Sequence, residues 1–296
     1  MFSDDQAFGL LKRRIFLDRG LDCEQYKENY LKRRIAVRLR ATGSENYLDY
    51  LRVLRLDPEE YTRLMNELTI NVTQFFRDPD VYNRLWRNVL PDLVSAKKNM
   101  GSRTLRVWSA GCASGEEPYS IAVLLEEVLG EDARRWNVRI LGSDFDDRSL
   151  ASAKEGVYYN LEMLKGIEPS KYFEVDQVPD GSRWRVKEGI KRKTRFEKVN
   201  LLAETEARHF DMVFCRNVLI YFGRQVQANI VEALSRSILR DGYLVLGKSE
   251  TLGQEASQSF KAVFPRERIY QLLSDDRGRP AARLQGHDTS DGGGDG

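Results

Sequence analysis

A chain of 296 residues with 41% hydrophobic content is long enough for one large core or two smaller ones. Charged residues make up 31% but nearly cancel, to a formal net charge of +2, so overall charge gives no case for nucleic acid. No apolar run approaches the about 20 residues of a membrane-spanning helix. The start, MFSDDQAFGLLKRRIF, is acidic where a secretory signal carries positive charge. Cys23, Cys112 and Cys215 are odd in number and widely spaced, which argues against a disulfide framework or zinc site and fits a reducing cytoplasm. His209 and His287 lie far apart, so no histidine triad or metal cluster is expected.

From about residue 3 to about 90 the pattern is helical. Leu31, Ile35 and Leu39 form one apolar stripe. Gly43 and Ser44 suggest a stop and a new N-cap, and Asp57-Pro58 a cap followed by proline in the first turn. Residues 1–92 are therefore expected to form a helical domain, and 93–103, which end in the polar run SAKKNMGSR, a linker. The rhythm then changes. Strands are predicted at 105–109, 138–143, 211–215 and 243–247, with helices at 116–129, 147–154 and 224–239 between them. Strands alternating with helices predict a mostly parallel sheet covered on both faces, over 104–274. Between about 158 and 198 the alternation breaks, and Pro179-Asp-Gly181 suggests a small antiparallel insertion. Residues 275–296 read as a disordered tail.

The segment Arg106-Val-Trp-Ser-Ala-Gly-Cys-Ala-Ser-Gly-Glu-Glu-Pro-Tyr-Ser-Ile-Ala122 runs from strand through a glycine turn into a helix. Gly111 and Gly115 would let a ligand approach the backbone. Their spacing meets neither the dinucleotide fingerprint nor the phosphate-cradling P-loop. The next strand ends in Asp144, a carboxylate placed to accept both hydroxyls of an adenosine ribose or to cap the following helix. For Asp146 the cap is preferred.

These residues resemble the chemotaxis receptor methyltransferases, the CheR family of protein-glutamate O-methyltransferases. The resemblance is carried by Trp108–Ser120, by Thr69-Ile-Asn-Val-Thr-Gln-Phe-Phe-Arg-Asp78, by Phe214-Cys-Arg-Asn-Val-Leu-Ile-Tyr-Phe222 and by Gly247-Lys-Ser-Glu-Thr251, in the family's order. It implies an α/β fold: a Rossmann-like S-adenosylmethionine-dependent methyltransferase domain with a small β-subdomain insertion, preceded by an all-α N-terminal domain. It implies methylation of receptor glutamates, with S-adenosylmethionine as donor and S-adenosylhomocysteine as product. It places Asn71, Thr73, Arg77, Gly111, Glu116, Asp144, Asn200, Leu201, Asn217 and Val218 at the cofactor, and Tyr221 near the transferred methyl.

The chemistry explains the missing histidine. A glutamate carboxylate, with an ordinary pKa of about 4.3, is already an anion at neutral pH and needs no general base. The protein must align the carboxylate with the methyl and exclude water. Arg216 is the candidate for holding the acceptor carboxylate, and Tyr221 for orienting acceptor or methyl.

Residues 27–40 (KENYLKRRIAVRLR) carry a basic face. It is either a solvated surface or, by the resemblance, the part that meets an acidic receptor coiled coil through Arg33, Arg34 and Arg38. Some family members grip a receptor C-terminal peptide with the β-subdomain. Trp184 could serve this, but the expected glycine pattern around 176–183 is not evident, and the tether stays open. A cytoplasmic monomer recruited to membrane receptor arrays is expected. Two other functions compete: a methyltransferase for nucleic acid or a small molecule, for which no Asn/Asp-Pro-Pro-Tyr motif is present, and a non-catalytic cofactor-binding module.

Overall fold

The computed structural model describes residues 3–69, 72–179, 181–203 and 209–273. Asn71, His287 and the expected tail lie outside them. Four helices come first: α1 (Asp4–Arg19), α2 (Glu28–Thr42), α3 (Tyr47–Leu56) and α4 (Pro58–Leu68). Local chemistry sets their ends. Ser3 and Gln6 form a capping box on α1, and Asp57 accepts the Glu59 N–H at the start of α4 with Pro58 in the first turn. The cap of α3 is Asn46 rather than Ser44, because the Asn46 side chain takes both the Leu48 and Asp49 N–H groups. Leu11, Ile15, Leu31, Ile35 and Leu64 form the core of this bundle. Glu60, 1% exposed, is buried beside it, accepting two bonds from Arg38 (2.9 and 2.6 Å) and one from Tyr50 (2.8 Å).

The expected linker is instead mostly helix. α5 (Pro79–Arg84) passes through a π-helical turn at Leu85–Val89 into α6 (Leu90–Asn99). Leu90, Leu93 and Val94 supply an apolar stripe that the polar run after them masks in the sequence. Together with Phe75, Phe76, Val81 and Tyr82 they pack into the core of the sheet, not of the helical bundle. The change of core therefore falls near residue 70 rather than at 92.

The strands are β1 (Thr104–Ala110), β2 (Asn137–Asp144), β3 (Val157–Tyr158), β4 (Phe173–Val178), β5 (Gly181–Val186), β6 (Thr194–Lys198), β7 (Phe210–Cys215), β8 (Ile238–Leu246), β9 (Phe260–Phe264) and β10 (Ile269–Leu272). Seven of them form one sheet in the order β6-β2-β1-β7-β8-β10-β9, parallel from β6 to β8 and antiparallel beyond. α7 (Glu116–Leu129) and α8 (Asp147–Glu155) pack on one face. After the short α9 (Glu188–Lys191), α10 (Arg224–Arg236) packs on the other.

Two sequence boundaries move. The insertion is the three-stranded sheet β3-β5-β4, over 157–186, while β6 belongs to the main sheet as a parallel neighbour of β2. Phe196 requires this: it is buried against Gly142, where an added Cβ would come within 2.7 Å of the ring. β8 begins at Ile238, inside the predicted helix, because Gly242 lets the strand pass within 2.8 Å (Cβ position) of the Asp211 carbonyl. Among the described residues no helix is long and apolar enough to cross a membrane.

Candidate cofactor and methyl-transfer site

β1 has β2 on one side and β7 on the other, so the chain reverses its direction of travel across the sheet there. Beyond the carboxyl ends of such strands a crevice forms, the usual ligand position in open α/β sheets. Here it is a cavity lined by residues at or just beyond the ends of β1, β2 and β7, among them Gly111, Asp144 and Asn217. Its lid is the helical domain, through Gly20, Leu21, Asp22 and Tyr26. The two domains are tied beside it: the Lys27 N–H donates to the Tyr221 carbonyl (2.9 Å) and Lys27 Nζ to the Ile220 carbonyl (2.8 Å).

The glycine turn forms the floor. Gly111 (φ 77°) sits so close to the facing loop that a Cβ would meet Val218 Cγ2 at 2.4 Å. Asp144 lines the cavity, and its carboxylate accepts the N–H groups of Ala113 (2.8 Å) and Asp146 (3.0 Å). These bonds use only part of its roughly four lone-pair directions and leave acceptor capacity for a ligand. Burial pushes its pKa above the ordinary carboxylate value, and the backbone N–H groups only partly offset this. Asp146 caps α8, as preferred from sequence.

Glu116 does not reach the cavity. Its carboxylate accepts the Ser114 hydroxyl (2.8 Å), and burial raises its pKa. The carboxylate in the wall is Glu117, bonded by the Ser109 hydroxyl (2.7 Å). Adjacent positions on a helix point about 100° apart, and the Glu-Glu pair alone does not tell which one faces in.

Arg216, only 6% exposed, donates to Glu117 (3.2 Å), Asp78 (2.7 Å) and the Arg77 carbonyl (2.8 Å), and lies over the Tyr82 ring. Its charge is thus matched within the wall, so the structure does not leave it free for an acceptor carboxylate. Arg77 is the more open cation, bonded through Nη1 to the Val72 carbonyl (2.9 Å). Thr73, Asn200, Leu201, Asn217, Val218 and Tyr221 also line the cavity. The Tyr221 ring packs at 5.0 Å against Tyr30 of α2, tilted by 42°. Asp78, Glu117 and the helical-domain lid were missed in the sequence, since nothing local marks them.

The lining fits an adenosyl sulfonium cofactor. Asn217 Oδ1 is buried in the wall without a hydrogen-bond partner among the described residues, which suits a ligand N–H or O–H. Asp144 suits vicinal hydroxyls, and Phe145, Leu201 and Val218 supply apolar walls. Among the described residues no His/Cys/Asp/Glu group could hold a metal.

The three basic candidates on α2 divide. Arg38 is spent on buried Glu60, and Arg34 pairs with Glu67 (3.0 Å). Arg33 is exposed and lines a groove with Lys27, Glu28, Tyr30 and Tyr221, and Tyr221 also lines the cavity.

Comparison with known proteins agrees with this architecture. The family described as the all-alpha domain of CheR methyltransferases matches residues 6–69, and that described as their SAM binding domain matches 71–269. A chemotaxis protein methyltransferase of Escherichia coli is 32% identical over 253 residues, covering 83% of this chain and 84% of that protein. One of Borreliella burgdorferi is 31% identical over 237 residues, covering 79% and 83%. Chemotaxis protein methyltransferase 1 of Pseudomonas aeruginosa is 37% identical over 194 residues, covering 64% and 69%. The junction of the two matches, near residue 70, is where the core changes from helical bundle to sheet, and the chain belongs to the CheR family of S-adenosylmethionine-dependent methyltransferases.

Proposed function

We propose that the chain methylates glutamate side-chain carboxylates of bacterial chemoreceptors, forming glutamyl methyl esters and S-adenosylhomocysteine. The observation that carries this reading is a cavity with two unlike ends. Asp144 and Asn217 offer hydrogen-bonding groups to the cofactor at the strand ends, while Tyr221 at the mouth borders the exposed groove of Lys27 and Arg33. With Lys27 and Arg33 against Glu28 the groove keeps a net positive charge, which suits an acidic helical substrate.

The bound cofactor supplies an electrophilic methyl on a sulfonium. The acceptor carboxylate is ionised at neutral pH, so no proton has to move and no side chain need act as base. What remains is orientation and charge. We assign the acceptor carboxylate to Arg77 and the Tyr221 hydroxyl, with Arg216 holding that wall through Asp78 and Glu117. Asp78 and Glu117 neutralise Arg216, which leaves Arg77 as the cation open to the incoming carboxylate. Thr73, Gly111, Asn200, Leu201 and Val218 shape the cofactor's surroundings. Recruitment to receptor arrays in the cytoplasm follows from this substrate. β4 is an outer strand of the small sheet, with Val175 exposed, and it offers an edge for strand addition by a receptor C-terminal peptide.

The test is transfer of radiolabelled methyl from S-adenosylmethionine to receptor-enriched membranes. Label that alkali releases as methanol is the expected result, because carboxyl esters are base-labile. Label that survives alkali, or appears only on nucleic acid, sinks the proposal.

A further inference from the structure

Glu250 lies in the Gly247-Lys-Ser-Glu block after β8, and it does not line the cavity. Its side chain is nonetheless buried, with 3% of the residue exposed. One carboxylate oxygen accepts the N–H groups of Asn217 (2.9 Å) and Gly247 (2.6 Å). The other accepts those of Leu219 (2.7 Å) and Ile220 (3.3 Å). Three of these four donors belong to the loop that carries Asn217, Val218 and Tyr221 into the cavity. That loop is not a conformation the chain adopts for its own sake. Asn217 has φ 60°, a left-handed backbone that costs a residue with a side chain, and Leu219–Tyr221 is a single 3-10 turn. Gly247 is required for the arrangement: a Cβ there would stand 2.6 Å from Glu250 Oε2 and 2.7 Å from the Asn217 nitrogen.

We propose that Glu250 is a positioning residue for methyl transfer: its carboxylate gathers the backbone of 217–220 and thereby sets Asn217 toward the cofactor and Tyr221 toward the acceptor. A carboxylate offers acceptors only, so four N–H groups can converge on it. An amide of the same shape would turn an NH2 group onto two of them. The loop would then relax, with consequences at both ends of the cavity. A plain structural staple would predict something else: lost stability with the surviving folded enzyme unchanged.

The inference rests on the methyl-transfer reading, and the experiment separates the two. The full chain is compared with Glu250→Gln and with Asp211→Asn. Asp211 is also a buried carboxylate that holds backbone, accepting the Arg106 N–H (2.8 Å) and pairing with Lys97, but it sits at the far end of β7 from the cavity. In label transfer to receptor membranes, Glu250→Gln is expected to lower kcat on the order of tenfold to a hundredfold per folded molecule, as expected for misplaced reacting groups. It should also raise KM for the cofactor several-fold. Asp211→Asn should lower Tm and leave both constants unchanged. Glu250→Gln with wild-type kcat and KM, whatever its Tm, overturns the proposal. Should Glu250→Gln not fold, Gly247→Ala, which crowds the same contact without altering charge, is read in its place with the same outcomes. Should the wild-type chain transfer no base-labile label, the functional reading fails instead. Calorimetry with S-adenosylhomocysteine then decides positioning: weaker binding by Glu250→Gln supports it and unchanged binding overturns it.

Discussion

Arg38 in the helical domain and Arg216 in the methyltransferase domain are both drawn out of solvent by carboxylates. Arg38 meets Glu60 through two bonds, with Tyr50 and, at 3.5 Å, Arg63 completing the carboxylate's shell. Arg216 meets Asp78 and Glu117, with the Arg77 carbonyl beside them. The first cluster closes on itself against packed helices. The second forms the wall of a cavity, and Arg216 Nε is left without a partner among the described residues. Similar chemistry thus makes a stability device in one domain and a shaped, polar ligand wall in the other. The difference is whether packing or a cavity completes the cluster.

The sharpest way to break this comparison is Arg216→Ala. It leaves Asp78 and Glu117 uncompensated, at a cost of about 3–5 kcal/mol in stability for a broken buried pair. Methyl transfer by the folded fraction should fall on the order of a hundredfold, because the wall carrying Arg77 is released. Denaturant unfolding and initial rates measure the two effects separately. An unchanged kcat would make this cluster the same kind of device as the other. Arg38→Ala should cost less, on the order of 3 kcal/mol, because Arg63 and Tyr50 stay on Glu60, and it should leave kcat and both KM values as in the wild type. Lost receptor methylation at full folding would instead return Arg38 to the receptor surface.

Asp144→Asn removes a charged acceptor without changing shape. Cofactor affinity should drop on the order of tenfold to a hundredfold, about 1.5–3 kcal/mol for a charge-assisted hydrogen bond. Calorimetry with S-adenosylhomocysteine checks it. The same carboxylate gives a pH dependence opposite in sign to that of Glu60. Burial raises the Asp144 pKa, so its ionised form and the cofactor affinity are lost, as pH falls, earlier than for an ordinary carboxylate. A raised folded pKa also means that Asp144 contributes less to stability as pH rises through it. At Glu60, burial alone would raise the pKa, but Arg38, Tyr50 and Arg63 together outweigh it and the net shift is downward. Glu60 therefore contributes stability above the ordinary carboxylate range and loses it as pH falls toward its lowered value. Cofactor affinity that stays flat on acidification, until the protein itself unfolds, would remove Asp144 from the cofactor. The smallest expected effect is that of Arg33→Glu: a several-fold rise in receptor KM at low ionic strength that fades with added salt. A rise independent of salt would argue against steering.

Much of the methyltransferase domain was legible because its signals are local. The glycine turn, the strand ending in Asp144 and the limits of α7 all follow from a few adjacent residues, as does the Asp57-Pro58 cap. α6 was hidden because a polar run follows its apolar stripe directly. β6 was assigned to the insertion because five residues of alternating pattern look alike in either sheet, and only the packing of Phe196 over Gly142 separates the two. Glu116 and Glu117 are not separable in the sequence, because one step along a helix turns a side chain by about 100° and only the fold shows which one faces the cavity.

The sequence alone determined the order of motifs and the alternation that makes a parallel sheet and, through the motifs, the family and its cofactor. Tertiary structure decided which arginine does what. Arg38 and Glu60 are 22 residues apart, and Arg216 and Asp78 are 138 apart. A charge in the sequence is free until the fold selects its partner, because the interior tolerates a charge only when it is paired. The same holds for the cavity, since Gly20 to Tyr26 close over Asn217 and Tyr221 only when two separate cores dock.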